Sequence, residues 1–291
     1  MSGPVASFTV LAPAKLNLFL HVVGRRADGY HLLQSAFVLL NFGDTIHFSA
    51  RHDGVVRRLS ALAGVSEEQD LVVRAARLLQ RELETMAGNA ALGVEIRVEK
   101  KIPMGGGLGG GSSDAATTML ALNRLWNLGL PREKLQEIGL ALGADVPFFI
   151  FGRDAFAEGI GEVLHAIEIP QWWYLVVTPP VNVPTPAVFA HPELTRNTFP
   201  LKISDFSANG LGRLRNDLQA VVLKEFPAVF RSFEALQAVS QKSVFGARMS
   251  GSGACVFAAF EIEQDARAAL QLLRLEHKGF IAEGLSRHPF S

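Results

Sequence analysis

Six glycines crowd into the seven positions from Gly105 to Gly111, broken only by Leu108. Ordering a glycine costs more backbone entropy than ordering any other residue, so a folded chain keeps such a run only where bare backbone is needed. The run lies in Pro103-Met104-Gly105-Gly106-Gly107-Leu108-Gly109-Gly110-Gly111-Ser112-Ser113-Asp114. Ahead of it, Leu92 to Val98 alternates apolar and polar residues, which predicts a strand with one wet face. Behind it, Ser113 to Trp126 predicts a helix that Asn127 to Gly129 stops. A glycine loop between strand and helix lets N–H groups converge on an anion, and the helix end adds partial positive charge. Ser112 and Ser113 stand where a hydroxyl can cap the helix, touch phosphate or reach a metal ion. A flexible connection before a capped helix is the plainer alternative, and six glycines weigh against it.

The known phosphate-loop frameworks fit poorly. A P-loop needs Lys after its last glycine, and Ser112 stands there. Gly105, Gly107 and Gly110 satisfy G-x-G-x-x-G, but a dinucleotide fold wants a continuously apolar strand before the loop. It also wants a ribose-binding acid about 20 residues on, and Glu133 falls in a helical turn after Pro131 instead. The H-R-D and D-F-G marks of protein kinases are absent.

Elsewhere strands and helices mix without regular alternation. Val5 to Leu11 and Leu16 to Val22 predict two strands, with a break at Pro13, which lacks a backbone donor. Leu32 to Leu40 and Thr45 to Phe48 are further apolar runs. Asp70 opens an amphipathic helix through Leu83, and Pro131 starts a short one that Gly143 ends. After Trp172 come a proline cluster, helical segments from Leu218 to Val239, and the strand Ala254 to Phe260 behind Ser250-Gly251-Ser252-Gly253. Gln264 to Leu275 predicts a last helix. With 291 residues, the expectation is an α+β chain of two lobes, 1–160 and 161–291.

Lys and Arg total 28 and so do Asp and Glu, which excludes a broadly basic nucleic-acid surface but not one anion pocket. The single cysteine, Cys255, reads as a buried core thiol and rules out a disulfide framework. No apolar run approaches the roughly 20 residues a membrane span needs, and Met1 to Ala14 carries only aliphatic and neutral residues. The expected setting is cytoplasmic, with no nucleic-acid or membrane partner.

Pro103 to Ser113, followed by Asp114-Ala115-Ala116, resembles the phosphate loop of the GHMP kinases (galactokinase, homoserine, mevalonate and phosphomevalonate kinases). Gly246 to Cys255 is similar to that family's carboxy-terminal glycine motif. Ala12 to Leu18, Arg26 to His31 and Gly143 to Phe149 place the resemblance in a branch whose acceptor carries a cytidine diphosphate and a branched polyol. The resemblance implies a nucleotide-binding N-terminal lobe and a C-terminal α/β lobe with a mostly antiparallel sheet. It implies ATP held by Pro103, Met104, Gly105, Gly106, Gly107, Leu108, Gly109, Gly110, Gly111, Ser112 and Ser113, with Mg2+ on Ser112 or Ser113. The activity implied is phosphorylation of an alcohol in isoprenoid precursor synthesis, by a monomer or weak homodimer with small-molecule partners only.

Lys15 is the only charge before His21, and Asp145 lies in a similarly apolar segment. Singly, a snorkelling lysine and an Asx turn before Pro147 explain them as well as chemistry does. Beside a phosphate loop they fit a kinase, Asp145 as base or orienting group and Lys15 as charge stabiliser. Asn17 shares a strand face with Lys15 and could orient the polyol. Tyr30 could stack on cytosine, His31 could read its edge, and Phe189 could cover the other face. The competing readings are another alcohol kinase of the family, a dinucleotide-dependent oxidoreductase using Gly105 to Gly110, and a binding protein that has lost catalysis.

Overall fold

The computed structural model describes residues 7–59, 62, 64–87, 92–273 and 276–290. Val5, Ala6 and Leu275, at the ends of expected elements, lie outside them. The chain runs β1 (Ser7–Arg25), β2 (His31–Arg51), β3 (Val56–Arg58), α1 (Leu71–Ala87), β4 (Gly93–Glu99), α2 (Gly110–Leu125), α3 (Arg132–Leu140) and α4 (Val146–Phe151). It continues through β5 (Ala155–Glu158), β6 (Val163–Ala166), β7 (Trp173–Val177), α5 (Thr185–Ala190), α6 (Gln219–Glu225) and α7 (Pro227–Val239). It closes with β8 (Arg248–Met249), β9 (Val256–Phe260), α8 (Glu263–Leu273) and β10 (Gly279–Leu285).

The expected break at Pro13 is not a loop. β1 runs through it and pairs with β2 from Ser7↔Ser49 to Arg25↔His31, the register slipping between Pro13 and Lys15. Proline cannot donate to the ladder, and a bulge absorbs the missing bond while the strand continues. The two apolar runs after His31 likewise merge into one strand, because Gly43 lets the ribbon close: a Cβ there would lie 2.0 Å from the Ala12 carbonyl oxygen.

β2 organises the sheet. β4 pairs with its second half, β5 with its first, and β10 meets it at Leu39 and Leu40 while also pairing with β7. Ten strands join in one sheet, antiparallel except where β3 meets β4. One core packs α1, α2 and α4 on the ribbon, with Val73, Met119, Phe148 and Phe149 fully buried. A second packs α6, α7 and α8 on β7 and β9. A third lies at the junction, where Leu16, Leu18 and Val38 meet Trp172, Tyr174 and Phe257. The lobes are therefore welded by apolar surface.

The chain beyond β10 returns to the first lobe. The His288 N–H donates to the Gly152 carbonyl (2.8 Å), and its Nδ1 accepts from the Phe290 N–H (3.1 Å). Nε2 then carries the proton and donates to Thr117 Oγ1 (3.0 Å) in the middle of α2. Burial foremost, and the Arg132 charge after it, push the ring down to about 3. A base whose folded value lies below its unfolded one stabilises fully above about 6.5, and loses that contribution as the unfolded chain takes up its proton at lower pH. The stability advantage of the native chain over His288→Gln should shrink by about 2 kcal/mol between pH 7 and pH 5. Urea midpoints of both proteins at the two pH values check this; a constant difference would refute the buried neutral ring.

Candidate active site

The first lobe's glycine loop is stitched to the second lobe's by its carbonyls. Gly105 O accepts from Ala254 N (3.2 Å), Gly106 O from Cys255 N (3.1 Å), and Gly107 O from Ser250 Oγ (2.9 Å). Leu108 O accepts from Lys15 N (3.0 Å) and Gly109 O from Ser113 N (2.8 Å). Five successive carbonyls are thus occupied. Among the described residues, the N–H groups of Gly105, Gly107, Gly109 and Ser112 have no protein acceptor. Gly105, Gly107 and Gly109 take positive φ (68°, 73° and 72°), and these alternate residues line a cleft of about 320 Å3. Backbone of this kind, carbonyls turned out and N–H groups turned in, makes a concavity for anions.

Lys15 enters the cleft floor from β1. Its side chain is only 4% exposed, so it does not snorkel, and its ammonium lies 5.1 Å from the centre of the Phe37 ring. Nζ donates to Asn17 Oδ1 and stands 3.4 Å from Asp145 Oδ2. Asn17 is held in turn: its Nδ2 donates to Ser35 Oγ (2.9 Å), which donates to the Phe19 carbonyl (2.6 Å). Asp145 occupies the cap position of α4 yet makes no capping bond, so its carboxylate is not spent on a turn. It is 34% exposed to the cleft.

Some expected ligand contacts point elsewhere. Leu108 is 1% exposed and anchors the loop in the junction core, where an apolar side chain belongs. Ser113 is fully buried and donates to the Pro13 carbonyl (2.6 Å), which removes it from the nucleotide and metal contacts. Ser112 does line the cleft. The expected helix start moves back, since α2 begins at Gly110 and its first turn includes Gly110, Gly111 and Ser112. Gly106 is buried over Cys255, and Pro103 and Met104 lie outside the cleft wall, Met104 being largely exposed. In the second lobe Ser250 is buried as a stitch, its Oγ also accepting from Asn17 N (3.2 Å). Gly251, Ser252 and Gly253 face the cleft, and Ser252 Oγ bonds Thr185 Oγ1 (2.6 Å). Cys255 is buried, which pushes its thiol up to about 12.

The cleft opens into a second chamber of about 580 Å3, the two sharing Leu33, Ala144, Ile160, Thr185 and Phe189. Tyr30, 61% exposed, and His31 line it. Phe189 is stacked on His31, ring centres 5.0 Å apart, so one of its faces is already covered. Arg196 fixes both: Nε donates to His31 Nε2 (3.2 Å) and Nη2 to the Phe189 carbonyl (2.9 Å). His31 therefore carries its proton on Nδ1, and burial, then the charges of Arg196 and Arg25, hold it below the ordinary histidine value.

The sequence pattern of the GHMP kinases N terminal domain matches residues 70–153, and that of the GHMP kinases C terminal matches residues 202–276. Over 278 residues the chain is 59% identical to the 4-diphosphocytidyl-2-C-methyl-D-erythritol kinase of Thiobacillus denitrificans, covering 96% of this chain and 95% of that one. The chain belongs to the GHMP kinase family. Its fold matches a crystal structure of 4-(cytidine 5'-diphospho)-2C-methyl-D-erythritol kinase with a TM-score of 0.80 at 34% identity, covering 95% of this chain and 99% of that one. A homoserine kinase from Cytophaga hutchinsonii shares the fold at TM-score 0.68 and 18% identity, over 99% of this chain and 97% of that one.

This GHMP kinase also uses residues that the sequence did not single out. Asp44, fully buried, accepts from Ile102 N (2.8 Å) and pairs with Lys100, whose Nζ also bonds Asp114 Oδ2 (2.7 Å). Burial, against the pull of Lys100, raises the Asp114 carboxyl to about 8. The three tie the strand before the glycine loop to the helix after it and so fix the loop's width. Lys100, three residues before Pro103, and Asp114, three residues after Gly111, were the signal available. Among the described residues, no helix is long and apolar enough to cross a membrane.

Proposed function

We propose that the chain phosphorylates the 2-hydroxyl of 4-diphosphocytidyl-2-C-methyl-D-erythritol with ATP, giving the 2-phosphate and ADP in the non-mevalonate route to isoprenoid precursors. The observation that carries the kinase reading is the set of unpartnered N–H groups of Gly105, Gly107, Gly109 and Ser112, residues that line a cleft also lined by Lys15 and Asp145. Those amides and the α2 N-terminus bind the ATP phosphates. The acceptor hydroxyl sits against Asp145, which takes its hydrogen bond and then its proton, while Lys15 stabilises the charge that develops. Asn17, held by Ser35 and Lys15, orients the polyol.

Mg2+ fits the site. The Ser112 hydroxyl offers an oxygen donor in the cleft beside the loop amides. Mg2+ is commonly held by one or two protein oxygens plus substrate phosphates, and when bound it neutralises phosphate charge.

The neighbouring chamber supports the acceptor. Tyr30 and the uncovered face of Phe189 can stack on cytosine, and the His31 Nδ1–H, with no described protein acceptor, can donate to the base. Phe189→Ala should raise KM for the cytidylated acceptor by at least about tenfold with little change in kcat, because stacking is lost equally from ground and transition states. Steady-state kinetics decide it, and an unchanged KM removes Phe189 from the base site. The function itself is tested by coupled ADP release from purified protein. Turnover is expected with the cytidylated methylerythritol and not with homoserine or mevalonate; the reverse pattern would keep the kinase and discard the acceptor.

A further inference from the structure

A further cavity, of about 580 Å3, lies at the other end of α4 from Asp145 and is lined by Arg132, Arg153 and Arg287. Phe151 and Leu164 give it an apolar side. Arg132 Nη1 donates to the Ile150 and Phe151 carbonyls (2.8 and 3.3 Å), the last of α4, and the Arg153 guanidinium lies 5.0 Å from the centre of the Phe151 ring. Arg287 adjoins His288, whose docking fixes the chain there. Neither Arg153 nor Arg287 forms an ion pair with a described carboxylate. Two carboxylates share the rim, Glu133 and Glu162, and Glu162 Oε2 is turned to the Ile160 N–H (2.6 Å). The arginines feel one another. Burial above all, opposed by Glu133 and reinforced by Arg153 and Arg287, holds the Arg132 guanidinium below its ordinary value. Three gathered cations beside an apolar wall, two of them unpaired, are the chemistry of a phosphate site with room for a carbon skeleton.

We propose that this cavity is a second anion site, separate from the cleft, that takes a small organic phosphate on Arg132, Arg153 and Arg287 with its carbon skeleton against Phe151 and Leu164. Occupancy is transmitted to the cleft by two links. Arg132 holds the end of the six-residue helix whose cap is Asp145, and Glu162 holds Ile160, which lines the cleft. An anion that draws Arg132 outward loosens the α4 carbonyls and shifts the carboxylate at its start.

The test uses the full chain saturated with ADP, so that the glycine loop is already filled, and phenyl phosphate as the probe. Calorimetry should show one site with a Kd in the millimolar range or tighter, weakened at least about tenfold in the double variant Arg153→Ala/Arg287→Ala. Both side chains are exposed, and neither belongs to the catalytic machinery, so the variant should keep ATP affinity and basal turnover. Inorganic phosphate should bind more weakly than phenyl phosphate. No binding, or equal binding by the double variant, overturns the site; equal affinity for the two probes overturns the apolar wall. Phenyl phosphate should also change turnover in the native chain and not in the double variant, and unchanged native turnover overturns the link to Asp145. The calorimetric arm does not depend on the acceptor proposed above, so its failure is distinct from a failure of that reading.

Discussion

Asp145→Asn should lower kcat at least about a hundredfold and leave ATP affinity close to that of the native chain. The substitution keeps the side chain's size and its ability to accept a hydrogen bond. It removes the negative charge that faces Lys15 Nζ at 3.4 Å and the capacity to take a proton. Because the carboxylate makes no capping bond to α4, the helix loses nothing by the change, and a folding defect would not mimic a catalytic one. The ATP contacts proposed above come from loop amides that do not touch residue 145. Single-turnover phosphorylation and nucleotide titration of the same sample separate the two quantities. Near-normal turnover would exclude Asp145 as the proton acceptor.

Gly107→Ala should be strongly damaging for a single added methyl. The residue sits at φ 73°, where a side chain is strained, and its Cβ would lie 2.2 Å from the Ser250 carbonyl oxygen. That oxygen is backbone of the opposite lobe and has no soft route of escape. Strain and overpacking together predict a loss of about 3 kcal/mol, or roughly 6–10 °C in Tm, with turnover lost as the two glycine segments separate. Gly111→Ala is the control. Its Cβ would meet only a Leu71 methyl at 3.2 Å, and φ there is not positive, so stability should hold or rise slightly. Thermal unfolding of both variants decides the matter. Equal behaviour would mean that the glycines serve composition and not position.

That contrast shows how far the sequence could be read. The loop was legible as a candidate phosphate site because six glycines between a strand and a helix have few other uses, and Lys15 and Asp145 stood out together only beside that loop, each having a plain structural explanation by itself. The loop's inner logic was not. Gly105, Gly107 and Gly109 line the cleft, whereas Leu108 and Ser113 are anchors, and that alternation depends on carbonyl partners more than 140 residues away, as the bond from Ser250 to Gly107 illustrates. The Asp44–Lys100–Asp114 brace was hidden for the same reason: Asp44 reaches Lys100 only once β2 and β4 have paired. Pro13 misled in the opposite direction, since a missing donor ends a strand in isolation but only bulges one that a long partner holds on both sides.

The docking of His288 and Phe290 on the first lobe has a consequence for the order in which this protein can be built on the ribosome. Thr117, Gly152 and Phe8 receive contacts from residues 288 and 290, so the first lobe emerges well before the segment that completes it. Until that segment arrives, Phe8 lacks its stacked neighbour and the middle of α2 lacks a buried hydrogen-bond partner. A lobe that would elsewhere mature as it leaves the tunnel must here wait until residues 288 and 290 have emerged, long after Gly152, which delays its final consolidation and gives chaperones a defined interval in which to act.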